Sequence, residues 1–171
     1  MLLTAPNIKD SLKLEAMANT YTQLYIHFVF VVQNRASLIH PEWEEKLHKY
    51  ITGIIQNKSH KMIAINGMPD HLHLFIGFQP SKGSMKELVK VVKGESTKWI
   101  KEQGYTDGKF KWQTGYGAFS YSRSHIERVY SYIQNQKEHH QKKTFREEYI
   151  ELLKSYDVDY DEQYIFNEII N

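Results

Sequence analysis

The amino-acid sequence predicts an α+β fold in which helices pack on a mainly antiparallel sheet. Runs rich in β-branched and aromatic residues alternate with segments whose apolar residues recur at helical spacing. Three of the helical segments begin with Ser or Thr followed three residues later by Glu, the capping-box pattern. The 171 residues suit one compact domain, and no internal repeat or low-complexity segment suggests a different architecture.

Composition narrows the class of protein. The formal net charge of +2 is only mildly basic, so a nucleic-acid footprint must be a local patch. No cysteine is present, which excludes disulfides, thiolate metal sites and a cysteine nucleophile. No apolar run approaches the roughly 18 residues that span a bilayer, and we expect a cytoplasmic protein. Residues 1–16 lack a strand pattern and are interpreted as a leader or added extension before a single domain at 17–171.

The first half of the domain predicts a strand, a helix and a hairpin. A strand is expected over residues 21–33, and its nearly unbroken apolar run favours a central position in the sheet. Apolar residues at helical spacing predict a helix over 41–58. A short strand at 61–67 and a turn at 68–70 then lead into a strand that begins at His71. These two strands form the expected hairpin.

The second half is expected to add helices and one further strand. Capping boxes are predicted at Ser84 with Glu87, Ser124 with Glu127, and Thr144 with Glu147. The second of these helices is expected to run over 124–142, and residues 109–113 and 118–122 are strand-like. The region 143–171 is interpreted as a C-terminal helix with an acidic, aromatic tail. The order β-α-β-β-α-β describes a ferredoxin-like or RRM-like sandwich with helices on one face and an added tyrosine-bearing helix.

Two histidines stand in the apolar strand that follows the turn. His71 and His73 are two residues apart, so they share one face of the strand. Two imidazoles on a rigid strand make half of a metal site, although an isolated His-x-His also occurs by chance. His27 interrupts the first strand, where a core or interface histidine is the more common meaning.

Tyr132 and Gln136 lie one turn apart on the predicted 124–142 helix, at the edge of its apolar stripe. A surface tyrosine bonded to a neighbour is the simpler interpretation, but the histidine pair favours a joint site. A tyrosine hydroxyl is a weak nucleophile, and attack on a phosphodiester needs a cation. His71, His73 and the Gln136 carbonyl oxygen form a mixed nitrogen and oxygen set that suits Mg²⁺ or Mn²⁺.

A lysine stripe marks the first of the capped helices. Lys86, Lys90, Lys93 and Lys101 fall on one side of it, within about 80° by the 3.6-residue period, and the first three are the candidate DNA contacts. Such a stripe is usually a solvated face. It becomes a DNA-binding ridge if the protein binds nucleic acid on other grounds.

Residues 20–166 resemble the single-tyrosine HUH transposases, which include the REP-associated tyrosine transposases. The matching segments are 25–30 (YIHFVF), 67–74 (GMPDHLHL), 113–120 (QTGYGAFS), and 132–136 (YIQNQ) followed by His139 and His140. By this resemblance His71 and His73 correspond to the paired metal ligands, Gln136 to the third ligand and Tyr132 to the nucleophile.

The resemblance implies further properties. Members act on single-stranded DNA, recognise a hairpin near the element end, and leave a 5′-phosphotyrosine and a free 3′-OH. They form homodimers whose sheets join edge to edge, and the tyrosine helix of one subunit often completes the metal site of the other. The long apolar strand at 21–33 fits such pairing, since an exposed edge of that kind would otherwise invite aggregation.

Two other functions stay open from the residues. An RRM-type module would bind single-stranded nucleic acid on aromatic sheet residues without cutting it. It has no use for a histidine pair matched to a tyrosine helix. A zinc hydrolase could use His71 and His73, but the sequence places no further His or carboxylate at the usual spacing, although Asp70 or His27 could supply one in space.

Overall fold

The computed structural model of the chain describes residues 21–36, 38–161 and 165. The predicted leader at 1–16 and most of the tail after residue 161 lie outside the described residues. The elements in chain order are β1 (Leu24–Val31), α1 (Pro41–Asn57), β2 (Lys61–Met68), β3 (His71–Phe78), α2 (Met85–Glu102), β4 (Gly117–Tyr121), α3 (Ile126–Gln134), α4 (Gln136–His139) and α5 (Phe145–Ser155). The β-α-β-β-α-β order is therefore confirmed.

The four strands form one antiparallel sheet in the order β2-β3-β1-β4. The β2-β3 hairpin and the central position of β1 agree with the sequence. β1 pairs with β3 over its whole length and with β4 from Tyr25 to Val29. The expectation that β1 presents an exposed edge is therefore wrong, because both of its sides are occupied. Within the described residues the sheet edges belong to β2 and β4 instead.

Alternation along the central strands divides their side chains between two faces of the sheet. Phe28, Phe30, Leu72 and Leu74 point to one face and pack with the apolar sides of α1 and α2. On the other face, the strand residues pack with α3 and α5. Helices thus cover both faces, where the sequence predicted one. The second layer matters for function because His27, His71 and His73 point into it.

Two of the three predicted capping boxes are present, at Ser84 with Glu87 and at Thr144 with Glu147. The box predicted at Ser124 is wrong. A 3₁₀ turn at Arg123–His125 precedes α3, no side chain of the described residues caps that helix, and the Ser124 hydroxyl bonds to Ser122 instead. Local hydroxyl partners thus compete with the cap.

The long helix predicted over 124–142 is interrupted at Asn135. This residue has φ −94° and ψ 19°, so α3 ends at Gln134 and α4 begins at Gln136. The strand-like segment at 109–113 contributes only one bridge to the sheet, between Val32 and Trp112. Among the described residues, no helix combines the length and apolar character needed to cross a bilayer.

Candidate metal centre and tyrosine site

The predicted histidine pair is fully buried on β3, with 1% of His71 and none of His73 exposed. Each ring has its Nδ1 atom occupied by a neighbour. His71 Nδ1 lies 2.7 Å from Asp70 Oδ1, and His73 Nδ1 lies 2.9 Å from His27 Nε2. A carboxylate accepts the proton on His71 Nδ1, which leaves Nε2 unprotonated toward the site. His73 reaches the same state when its Nδ1–H donates to His27.

Asp70 is itself fixed by Arg35, which donates from Nε and Nη2 to Asp70 Oδ2 at 3.0 and 2.8 Å. Burial by itself would raise the pKa of Asp70, but the hydrogen bonds and charges of His71 and Arg35 outweigh it and lower the pKa to about 2. Arg35 has φ 51° and Asn34 has φ 58°, both in the left-handed region. Backbone strain of this kind persists where surrounding contacts hold it, here at a loop that orients a site histidine.

Two residues that the sequence interpretation did not assign to the site complete the cluster. Glu148 from α5 and His140 from the end of α4 join His71 and His73, and one ligand atom from each lies within 4.8 Å of the others. Glu148 Oε2 lies 3.1 Å from His140 Nε2 and 3.6 Å from His73 Nε2. Burial raises the pKa of Glu148 to about 7 and lowers that of His140 to about 4, the latter aided by the nearby His71.

The predicted tyrosine and glutamine meet at the other oxygen of the same carboxylate. Gln136 is fully buried, and its Nε2 donates to Glu148 Oε1 at 3.0 Å. The Tyr132 hydroxyl also donates to Glu148 Oε1. The ring of Tyr132 stands edge-on to His73, with 6.0 Å between the ring centroids. The structure therefore brings together His71, His73, Tyr132 and Gln136 within one chain.

Several buried polar atoms around this point have no hydrogen-bond partner among the described residues. They include His73 Nε2, Gln136 Oε1 and Glu148 Oε2. Each unsatisfied buried group costs on the order of 1–3 kcal/mol, and a cation bound between these acceptors would remove that cost. Imidazole nitrogens with one carboxylate and one amide oxygen form a donor set that fits a divalent cation. The residues present therefore fit the metal that the sequence predicts.

A sequence signal for Glu148 exists. The predicted box at Thr144 opens a helix whose apolar residues include Phe145 and Leu152, and Glu148 lies between them at helical spacing. An acidic residue on an apolar stripe must be paired or bind a cation when the stripe is buried. His140 gives no such local signal, because a turn rather than a periodic element positions it.

The lysine stripe does not join this cluster. α2 packs on the face of the sheet opposite the histidines, and Lys86 and Lys90 are exposed there. Lys93 differs, because its Nζ donates to the carbonyl oxygens of Gln113, at 2.8 Å, and Gly115. Burial lowers the pKa of Lys93 to about 8. Lys93 thus holds the segment before β4 against α2, whereas Lys86 and Lys90 form no ion pair with any residue that the structure describes.

The chain is thus an α+β protein whose antiparallel sheet places a buried histidine pair beside a tyrosine hydroxyl. The sequence profile of the family described as "Transposase IS200 like" matches residues 20–136. The match covers more than half of the chain, and the chain belongs to this family. The resemblance to single-tyrosine transposases is therefore confirmed.

Solved structures share the fold. One, described as a transposase from Deinococcus radiodurans R1, is 22% identical with a TM-score of 0.55, over 70% of this chain and 95% of that chain. Another, a REP-associated tyrosine transposase bound to a REP hairpin, is 15% identical with a TM-score of 0.54, over 71% of each chain. No curated protein matches the chain in sequence.

Proposed function

We propose that this transposase cuts and rejoins single-stranded DNA at the hairpin-bearing ends of an element, with Tyr132 as the nucleophile. The observation that carries the proposal is the shared carboxylate of Glu148. One of its oxygens accepts the Tyr132 hydroxyl, and the other faces the histidines. The nucleophile and the cation site would thereby act on the same scissile phosphate.

His71, His73 and Gln136 would hold Mg²⁺ or Mn²⁺, and Glu148 Oε2 and His140 Nε2 are further donors within reach. A divalent cation there would neutralise charge on the scissile phosphate and orient it for in-line attack. Asp70 and His27 support this role by binding the Nδ1 atoms of the two histidines, which keeps both Nε2 atoms directed inward.

Side chains of the protein, together with water, account for the proton transfers and for the bonds that form and break in the cleavage step. The Tyr132 oxygen attacks phosphorus while its proton passes to Glu148 Oε1, the oxygen that accepts the hydrogen bond of the Tyr132 hydroxyl. The bond from phosphorus to the 3′ oxygen breaks, and this oxygen takes a proton from water to leave as a 3′-OH. The products are a 5′-phosphotyrosine and a free 3′-OH. Rejoining is the reverse attack by a 3′-OH, which returns the proton to Tyr132.

Hairpin recognition is proposed because the fold is shared with the REP-associated transposase that is bound to a REP hairpin. A homodimer and a cytoplasmic location belong to the same proposal, by resemblance to the family. The resemblance also predicted a tyrosine donated by the partner subunit. We propose the opposite arrangement, because Tyr132 already contacts Glu148 and stands beside His73 of its own chain.

The test uses Tyr132→Phe with Tyr130→Phe as the matched control. Tyr130 lies on the same helix but is 45% exposed and is not part of the cluster. The protein is incubated with Mn²⁺ and single-stranded DNA from the flanks of its own gene, and covalent adducts are resolved on denaturing gels. We expect Tyr132→Phe to abolish the adduct, because only the attacking oxygen is lost, and Tyr130→Phe to retain it.

An adduct that persists in Tyr132→Phe would contradict the assignment of the nucleophile. DNA binding by the wild-type protein with no adduct in Mn²⁺ or Mg²⁺ would instead favour the binding module without catalysis.

A further inference from the structure

A second candidate site lies on the face of the sheet opposite the histidines. It is a groove of about 700 Å³ between α2 and the segment 111–116 that leads into β4. All of its charged lining residues within the described part of the chain are lysines: Lys86, Lys90, Lys93 and Lys111. Four lysine side chains thus line one groove of a chain whose formal net charge is only +2. We call this feature the lysine groove.

The walls of the lysine groove are fixed by buried hydrogen bonds. Trp112 Nε1 donates to Ser96 Oγ at 2.9 Å, and Lys93 donates to the carbonyl oxygens of Gln113 and Gly115. One cation is therefore used to build the groove. The other three, Lys86, Lys90 and Lys111, are exposed and form no ion pair within the described residues.

The floor of the lysine groove is open at Gly94, in the middle of α2. A Cβ atom placed on Gly94 would meet nothing within 4 Å. Glycine in a helix interior is unfavourable, and here no neighbouring side chain requires it. The missing side chain leaves room for a ligand to approach the helix between the lysines. Tyr116, which is half-buried against Phe28, adds an aromatic surface to the lining of the groove.

We propose that the lysine groove binds a stretch of single-stranded DNA, with phosphates at Lys86, Lys90 and Lys111 and a base against Tyr116. Charge complementarity favours a polyanion, and an apolar surface beside the lysines suits unpaired bases, which stack on aromatic rings. This rests on the proposed function, because the bound stretch is the continuation of the strand that is cut. To reach the histidines on the other face of the sheet, the bound strand would pass around the β4 edge. Contact with the lysine groove would then raise the effective concentration of DNA at the histidines.

The first experiment uses fluorescence anisotropy to measure how strongly a labelled single-stranded oligonucleotide without a hairpin binds at different salt concentrations. EDTA is present throughout. The test variant replaces Lys86, Lys90 and Lys111 by Ala. The charge-matched control replaces Lys49, Lys58 and Lys98, which lie outside the groove. We expect the slope of log affinity against log salt to fall by about 2 in the test variant only, as each single-strand contact counts about 0.7. Equal losses in both variants would overturn the proposal.

The second measurement uses shape instead of lysine removal. Gly94→Glu places a carboxylate in the lysine groove. The control, Gly53→Glu, places a carboxylate on α1 instead, where a Cβ atom would also meet nothing within 4 Å. We expect Gly94→Glu to weaken oligonucleotide binding at least tenfold and Gly53→Glu to leave it nearly unchanged. Equal affinities of the two variants would overturn the groove assignment. Tighter binding of a hairpin-free duplex or of polyglutamate than of the single strand would overturn the proposed occupant.

These measurements need no cleavage, so they separate the two proposals. Absence of a covalent adduct in the wild-type protein would contradict the proposed function, while the anisotropy of the lysine and glycine variants in EDTA still decides the groove.

Discussion

The two oxygens of the Glu148 carboxylate face different partners. Oε1 accepts from Tyr132 and Gln136, whereas Oε2 has no hydrogen-bond partner among the described residues and lies near His73 and His140. Glu148→Gln keeps the shape but removes the charge that a cation would meet. We expect Mn²⁺ affinity to fall about tenfold or more, as for other groups around metal ligands. Calorimetric titration measures it, with the more exposed Glu151→Gln as the control from the same helix. Equal affinities would contradict a role for Glu148 in cation binding.

Asp70 makes the stability of the protein depend on pH. Its pKa is about 2 in the folded protein and 3.8 as a free group, so the stabilisation is complete above pH 3.8 and is lost as pH falls toward 2. The shift corresponds to about 2 kcal/mol. We expect Asp70→Asn to lower the free energy of unfolding by about this amount at pH 7 and to flatten its decline in acid. Urea unfolding between pH 2 and 7 measures both, and the exposed Asp107→Asn should match wild type.

Local geometry alone could predict two pairs of site residues, and the resemblance to the family joined the two pairs into one site. A strand places His71 and His73 on one face, and a helix places Tyr132 one turn from Gln136. Their chemical roles stay predictions. The roles of His140 and Glu148 could not be predicted from such spacing, because Glu148 reaches the histidines only through the packing of α5 on the sheet and His140 only through the turn that ends α4.

At the scale of elements, the site depends on α5, which carries Glu148. Thr144 Oγ1 accepts the backbone N–H of Glu147 at 3.3 Å and closes a capping box at the start of this helix. Ser84 closes the equivalent box on α2. We expect Thr144→Ala and Ser84→Ala each to cost about 1 kcal/mol of stability. Only Thr144→Ala should also weaken Mn²⁺ binding, because α5 supplies a residue to the site and α2 does not. Equal Mn²⁺ affinities of the two variants would contradict this.

The positions at which helices begin and end were the least predictable feature of the secondary structure. Asn135 interrupts the predicted helix between Tyr132 and Gln136, yet the two side chains still meet at Glu148. Asparagine is only a moderately poor helix residue, so one such position in a periodic segment does not announce a break. The interruption lasts a single residue, which explains why the prediction of a shared face survived it.

At the scale of the molecule, the layer order decides where function can lie. The sheet separates the histidine cluster from the lysine groove, with β1 and β3 at its centre. The apolar run of β1 correctly indicated a buried strand. It could not indicate its neighbours, because strand order follows from pairing with residues far along the chain. The edge role predicted for β1 failed for this reason, and edge-to-edge pairing of two copies would have to use β2 or β4.

The placement of Tyr132 beside the histidines of its own chain gives a prediction about subunits. Inactive Tyr132→Phe is mixed with inactive His71→Ala under conditions where subunits exchange. With each site completed within one chain, as the contacts of Tyr132 with Glu148 and His73 indicate, every site carries one lesion and no cleavage should return. With sites completed between subunits, each heterodimer would hold one intact site and one doubly damaged site, and cleavage would recover to about half the wild-type value. Mass measurement of the mixture must first confirm that heterodimers form, because unmixed homodimers would also be inactive. Recovered cleavage in a confirmed heterodimer would show that the tyrosine works in the partner's site.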